Sequence, residues 1–152
     1  MPNRRDFVVS AAGLLLTGFS TRRLPAQAPQ TITVYKSKSC GCCSLWVKHL
    51  EANGYTALVH DEEAMDPLKD ELGVPVDLRS CHTAVAGAYL IEGHVPAADI
   101  RRLLAERPKV AGLAVPGMPS GTPGMARSDA ESGGYTVLAF QSDGSSRTFA
   151  SH

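Results

Sequence analysis

Hydrophobic and polar positions change period several times along this chain, and each change marks an element. Thr31-Ile32-Thr33-Val34-Tyr35 is β-branched and aromatic, the pattern of a strand at least half buried. A polar loop, Lys36 to Ser39, leads through a cysteine cluster to Ser44–Asn53. There Leu45, Trp46, His49 and Leu50 fall at helical spacing, and Gly54 is the stop. Thr56-Ala57-Leu58-Val59-His60 reads as a second strand, and a crossover through a helix makes the two strands a parallel pair. Asp66 as cap and Pro67 at the first helical position open a further helix that runs to Leu72 and ends at Gly73. Thr83 to Ala86 and Ala88 to Ile91, parted at Gly87, form an antiparallel hairpin. Pro96 to Glu106 then carries Ile100, Leu103 and Leu104 on one helical face, closed by Pro108.

The order βαβ, a linking helix, then ββα is α/β and is the arrangement of a thioredoxin-like fold. After it the periodicity stops. Val115 to Met125 is a Gly/Pro loop carrying Met118 and Met125, and a loop of this length without elements of its own commonly serves a function. Tyr135 to Phe140 and Arg147 to Ala150 read as a C-terminal β-hairpin around Asp143-Gly144, with a role open between covering a sheet edge and meeting a partner.

The N-terminus follows different rules. Arg4 and Arg5 precede an apolar stretch from Val8 to Phe19, and Ala26-Gln27-Ala28 supplies small residues for cleavage. The stretch falls short of the ~20 apolar residues that span a bilayer, so it reads as an export signal over 1–28. The paired arginines resemble a twin-arginine signal, which implies export of a folded protein, a periplasmic location and no stable membrane span after cleavage. Residues 29–152 are then one domain, large enough for a single core.

Composition adds exclusions. With 43% apolar and 20% charged residues the chain is ordinary for a soluble globular protein. Removing four arginines and one aspartate with residues 1–28 leaves a balanced chain acidic by about three charges. No Lys/Arg run exceeds a pair and aromatics are sparse, which argues against a nucleic-acid partner. An anionic membrane surface is disfavoured for the same reason.

The chemistry lies in the cysteines. Cys40, Cys42 and Cys43 occupy three of four consecutive positions at the strand-to-helix turn, where free amide N–H groups and the helix dipole favour thiolate. Residues three apart share one side of a helical turn, so Cys40 and Cys43 converge while Cys42 points nearby. As staples the four cysteines are poorly spaced. A Cys42–Cys43 bridge would be strained, and a Cys40–Cys43 bridge closes too small a loop to stabilise much. The cluster therefore either binds a soft metal or exchanges electrons. Cys81-His82, His94 in Glu92-Gly93-His94-Val95-Pro96, Met118 and Met125 complete a set of thiolate, imidazole and thioether donors that selects Cu(I) over hard cations. Zinc has little use for the methionines. His49, two turns into an amphipathic helix, reads as a packing or surface residue.

Four motifs in this order carry a resemblance. Cys40-Gly41-Cys42-Cys43 before a Trp-containing helix, Ser80-Cys81-His82-Thr83-Ala84, Glu92-Gly93-His94-Val95-Pro96, and Val115-Pro116-Gly117-Met118-Pro119 with Gly121-Thr122-Pro123-Gly124-Met125 together resemble the CopG-type periplasmic copper-resistance proteins, a thioredoxin-like family unrelated to the plasmid repressor of the same name. The resemblance spans roughly Thr31 to Met125. It implies a copper–thiolate cluster with Cys40, Cys42, Cys43 and Cys81 as core ligands, and it matches His82, His94, Met118 and Met125 to motif positions. Copper ions, and other periplasmic copper-handling proteins, are the partners so implied.

Two function classes follow. One is a protein that holds or transfers Cu(I) in a multinuclear site for copper tolerance. The other is an enzyme, a thiol–disulfide oxidoreductase using Cys40 and Cys43 or a copper-dependent redox enzyme. A redox pair leaves Cys42, Cys81 and both methionines without a task, whereas a multinuclear copper site uses them all.

Overall fold

The computed structural model describes residues 30–125 and 134–152. The expected signal over 1–28 lies outside the described residues. Among these residues one mixed sheet of seven strands is flanked by three helices. In chain order the elements are β1 (Thr31–Lys36), α1 (Gly41–Ala52), β2 (Thr56–Asp61), α2 (Met65–Leu72), a 3₁₀ turn (Val76–Leu78), β3 (His82–Ala86), β4 (Tyr89–Glu92), α3 (Ala97–Glu106), β5 (Gly112–Ala114), β6 (Thr136–Phe140) and β7 (Ser146–Ser151).

The strands run in the order β2-β1-β3-β4-β5-β6-β7. β1 and β2 are parallel, as the helical crossover requires, with Val34 opposite Val59. β3 lies antiparallel between β1 and β4, so Tyr35 faces Thr83 and Thr83 faces Glu92. β5 was not legible as a strand. It joins β4 in parallel and β6 antiparallel, and the C-terminal hairpin extends the same sheet, with β7 at its far edge.

Alternation on the strands separates two cores. Ile32, Val34, Ala84, Ala86, Ile91, Leu113, Val137 and Ala139 point to one face, where Trp46, Val47 and Leu50 of α1 and Ile100 and Leu103 of α3 cover them. Each large apolar side chain so buried contributes roughly 1.5–3 kcal/mol relative to exposure. α1 and α3 are tied at their ends: Trp46 Nε1 donates to Val95 O at 2.9 Å, and His49 Nε2 accepts the Ala97 N–H at 3.1 Å. His49 thus satisfies one of the free donors at the start of α3, a structural task. The opposite face is covered by α2 and the 3₁₀ turn, where Leu78 packs on Ala114 and Phe140.

Several boundaries differ from expectation. α1 begins at Gly41 rather than Ser44, with Cys40 as its N-cap. The motif is therefore the first turn of the helix, not a loop before it. α2 starts at Met65 after Ala64, so Asp66 and Pro67 sit in the first turn and neither caps it. β3 begins at His82, one residue before the expected Thr83, and β4 spans Tyr89–Glu92, shifted one residue onward at both ends from the expected Ala88 to Ile91. The displacement places Glu92 inside the sheet.

Candidate metal centre

Three parts of the fold converge at the start of α1. The end of β1 feeds the Cys40–Cys43 turn, the segment entering β3 carries Cys81 and His82, and the turn after β4 carries His94. Because β3 lies beside β1, and β4 beside β3, the three approach the same end of the sheet.

The sulfurs of Cys40, Cys42, Cys43 and Cys81 all lie within 4.8 Å of one another. Cys81 Sγ, His82 and His94 ring nitrogens form a second such group, which shares Cys81 with the first. Cys43, His82 and His94 are buried; Cys40, Cys42 and Cys81 are half-buried. The site is therefore a wall of buried donors with a sulfur-lined opening.

Cys40 and Cys43 are joined by a disulfide, with their Cα atoms 5.4 Å apart, and Cys42 and Cys81 are free thiols. Such a bridge closes only one helical turn, and the small gain in chain entropy fits the expectation that it is no structural staple. Cys42 Sγ stands 3.5 Å from Cys40 Sγ. Cys43 Sγ lies 3.9 Å from Cys81 O, so the α1 turn and the β3 entry are close neighbours at the site.

The imidazoles are set by their outer contacts. His94 Nδ1 lies 2.7 Å from Pro123 O, and a carbonyl can only accept, so Nδ1 carries the proton and Nε2 offers its lone pair. That Nε2 is 3.2 Å from Cys81 Sγ. His82 Nδ1 is 3.3 Å from the same sulfur, while His82 Nε2 is buried and has no hydrogen-bond partner. The His82 ring leans on Trp46, centroid to centroid 4.3 Å, and meets His94 edge-on at 4.9 Å. Burial holds the pKa of His94 below the ordinary histidine value, and that of His82 well below it, with the neighbouring His94 and Lys69 adding to the effect on His82. Burial pushes the Cys81 thiol up to about 11, with Cys42 contributing. In the metal-free site the thiol and both rings are neutral at pH 7.

The loop from Val115 to Met125 forms a strap over these groups. Gly117 N donates to Arg79 O at 3.4 Å and Ser80 Oγ donates to Gly117 O, which anchors one end beside Cys81. Thr122, fully buried, caps a turn on Pro119 O. At the other end Gly124, with φ +87°, lies so close to α1 that a Cβ there would stand 2.8 Å from Trp46 N and 2.9 Å from Cys42 O. Only glycine fits both the backbone angle and the contact. Met118 is 55% exposed on this strap, and Met125, next to Gly124, is half-buried.

The expected donors thus divide. Cys40, Cys42, Cys43, Cys81, His82 and His94 are brought together, Met118 is largely exposed, and Met125 is half-buried beside Gly124, which packs on Cys42 and Trp46. Sequence reasoning missed Glu92 and Lys69, an ion pair buried beneath the segment that carries Cys81. Glu92 stood in a noted motif beside Gly93-His94, but an isolated lysine in the middle of a short polar helix carries no sequence signal of burial.

Comparison with known proteins places this geometry. The family model described as protein of unknown function DUF411 matches residues 78–125. Two solved structures, described as copper resistance protein copG, form 1 and form 2, are each 45% identical in sequence. Each aligns with a TM-score of 0.76 over 82% of this chain and 98% of its own. No curated protein matches the chain.

Proposed function

Since this chain belongs to the CopG copper-resistance family, we propose that it binds Cu(I) as cargo in a multinuclear cysteine and histidine site, holding or transferring the ion for copper tolerance. The observation that carries this is the convergence of four sulfurs within 4.8 Å, joined through Cys81 to two neutral imidazoles. Thiolates and neutral imidazoles are donors that favour Cu(I), and the set contains no carboxylate that would favour a hard cation.

Within this reading Cys42 and Cys81 are standing ligands, Cys40 and Cys43 become ligands on reduction, and Cys81 is the donor common to both groups. His94 binds through Nε2 and His82 through Nδ1. Met118 and Met125, on the strap, hand copper in or out at the opening. The fold that supports the site is thioredoxin-like, with β2-β1-β3-β4 as the shared sheet, α1 and α3 on one face and α2 on the other. Residues 1–28 are an export signal, 29–152 the copper-binding domain, and the periplasm its location. Among the described residues no helix is long and apolar enough to cross a membrane.

Titration of the reduced protein with Cu(I) tests this. We expect tight binding of more than one ion per chain and fewer in Cys42→Ser. Absence of tight binding, or an unchanged Cys42→Ser, overturns the reading.

One observation favours a second reading, the bond between Cys40 and Cys43 at a helix N-terminus. It is the placement of a thiol–disulfide oxidoreductase pair. Disulfide exchange with a model peptide, catalysed equally by the metal-free protein and its Cys42→Ser variant, would select that function instead.

A further inference from the structure

Beneath the ligands, on the α2 face of the sheet, lies an ion pair that copper chemistry does not itself require. Lys69 of α2 is 2% exposed, and its Nζ stands 2.5 Å from Oε1 of Glu92, which is fully buried. Both carboxylate oxygens are engaged further. Oε1 accepts the Ser80 N–H at 2.6 Å, and Oε2 accepts the Thr83 hydroxyl at 2.6 Å. Lys69 Nζ also donates to Thr83 Oγ1 at 2.7 Å. Residues 80 and 83 bracket Cys81 and His82, so the two residues flanking these donors are both tied to one carboxylate. The same carboxylate belongs to the last residue of β4, from which the chain turns through Gly93 to His94.

Stability does not account for the pair. Desolvating two charges offsets most of their attraction, and well-packed apolar residues often replace such pairs at no loss. What an apolar pair cannot do is hold an amide and a hydroxyl at fixed positions. The four hydrogen bonds lock the entry to β3 against the end of β4, and these two segments carry Cys81, His82 and His94.

We propose that Glu92, held by Lys69, is the positioning residue of the metal centre, fixing Cys81, His82 and His94 as one unit against the cysteines of α1. The proposal rests on the copper reading for its consequence, while its geometric part stands on the metal-free protein. Neither side chain hydrogen-bonds to a donor atom. Both act through Ser80 and Thr83.

The test compares two double variants that each remove both charges, so no ion is left buried alone. Lys69→Met with Glu92→Leu abolishes the hydrogen bonds. Lys69→Met with Glu92→Gln keeps an amide that accepts from Ser80 N–H and donates to Thr83. Two quantities are read in each: the carboxymethylation rate of Cys81 in reduced, metal-free protein, and Cu(I) affinity by chelator competition. In the Leu variant we expect several-fold faster alkylation of Cys81 and a loss of affinity of about 10–100-fold, the usual cost of removing an outer partner of a metal ligand. The Gln variant restores both towards wild type.

Leu and Gln variants that match each other in both measurements overturn the proposal, even where both are less stable than wild type. Where the Leu variant does not fold, Thr83→Val removes one link at near-constant volume, and the same two readouts shift in the same direction or refute the role. A wild-type protein that binds no Cu(I) ends the copper reading alone, because the alkylation rates still decide whether Glu92 positions Cys81.

Discussion

The sulfur of Cys81 lies 3.2 Å from Nε2 of His94, and a third atom decides which of the two carries the proton between them. Pro123 O claims the hydrogen on Nδ1 of His94, which leaves Nε2 as an acceptor, so the Cys81 thiol donates to it. His82 Nδ1–H can then donate to the same sulfur, leaving its buried Nε2 without a hydrogen to satisfy. The metal-free site is a neutral, internally paired network. Binding a cation there displaces the Cys81 proton, leaves the His94 proton on Nδ1, and moves the His82 proton from Nδ1 to Nε2 so that Nδ1 can ligate.

That proton makes Cu(I) affinity depend on pH. With the Cys81 thiol held up at about 11, its proton is released on binding at any pH from 7 to 9. The contribution of this one ligand to apparent affinity rises about tenfold per pH unit. The two histidines, lowered below 6.5, add no competing proton in this range. Chelator competition at several pH values should give a slope in Cys81→Ser lower than wild type by about one proton. Equal slopes would contradict the assignment.

Stability of the metal-free protein should follow the same groups in the opposite sense at its two ends. The folded pKa values of His82 and His94 are depressed, so their contribution is present above 6.5 and is lost as pH falls towards the folded values. The folded pKa of Cys81 is raised from 9.0 to about 11, so its contribution is whole below pH 9 and fades as pH rises through 11. Urea midpoints measured from pH 4 to 8 should fall on the acid side, and His82→Phe should flatten that fall. A variant as acid-sensitive as wild type would exclude His82 as the cause.

Oxidation state should set copper capacity. With Cys40 and Cys43 bridged, Cys42 and Cys81 are the only thiols among the described residues. We expect the oxidised protein to bind about half the Cu(I) of the reduced protein, in proportion to its thiolate donors. A Cys40→Ser/Cys43→Ser variant should bind the lower amount with or without reductant. Equal loading of oxidised and reduced wild type would remove Cys40 and Cys43 from the ligand set.

Much of this frame was legible in the sequence because period and punctuation agree there. Ile32 and Val34 alternate, Leu50 and Trp46 recur at helical spacing, and Gly54, Gly73 and Gly87 each mark an end. β5 was not legible, because Gly112-Leu113-Ala114 is too short to show a period and owes its pairing to β4 and β6 on either side. The helix starting at Gly41 was missed for a related reason: its first turn is written in cysteine and glycine, types chosen for the site rather than for helix propensity. The donors were legible as chemical types, and six of the eight converge. Met118 and Met125 lie on the strap, whose course over the site leaves no periodic trace in the sequence. The Lys69–Glu92 pair was not legible, because burial of an ion pair depends on register between distant strands and helices.

The strap gives the last prediction. Gly124 holds φ +87° and packs on the backbone of Cys42 and Trp46, so Gly124→Ala meets both an unfavourable backbone angle and contacts below 3.0 Å. The strain costs about 1–3 kcal/mol if the strap stays in place. Lifting it relieves the strain but separates Pro123 O from His94 Nδ1, since Pro123 and Gly124 are adjacent on the strap. His94 then loses the contact that fixes its tautomer, and the opening over the sulfurs widens. Copper transfer to a competing chelator should be faster in Gly124→Ala than in wild type, with a smaller change in the number of ions bound. Trp46, the single tryptophan, is buried under the strap's end and against His82, so its fluorescence should report the displacement without copper. A Gly124→Ala protein with wild-type transfer rate and wild-type Trp46 emission would show that the strap does not govern access to the site.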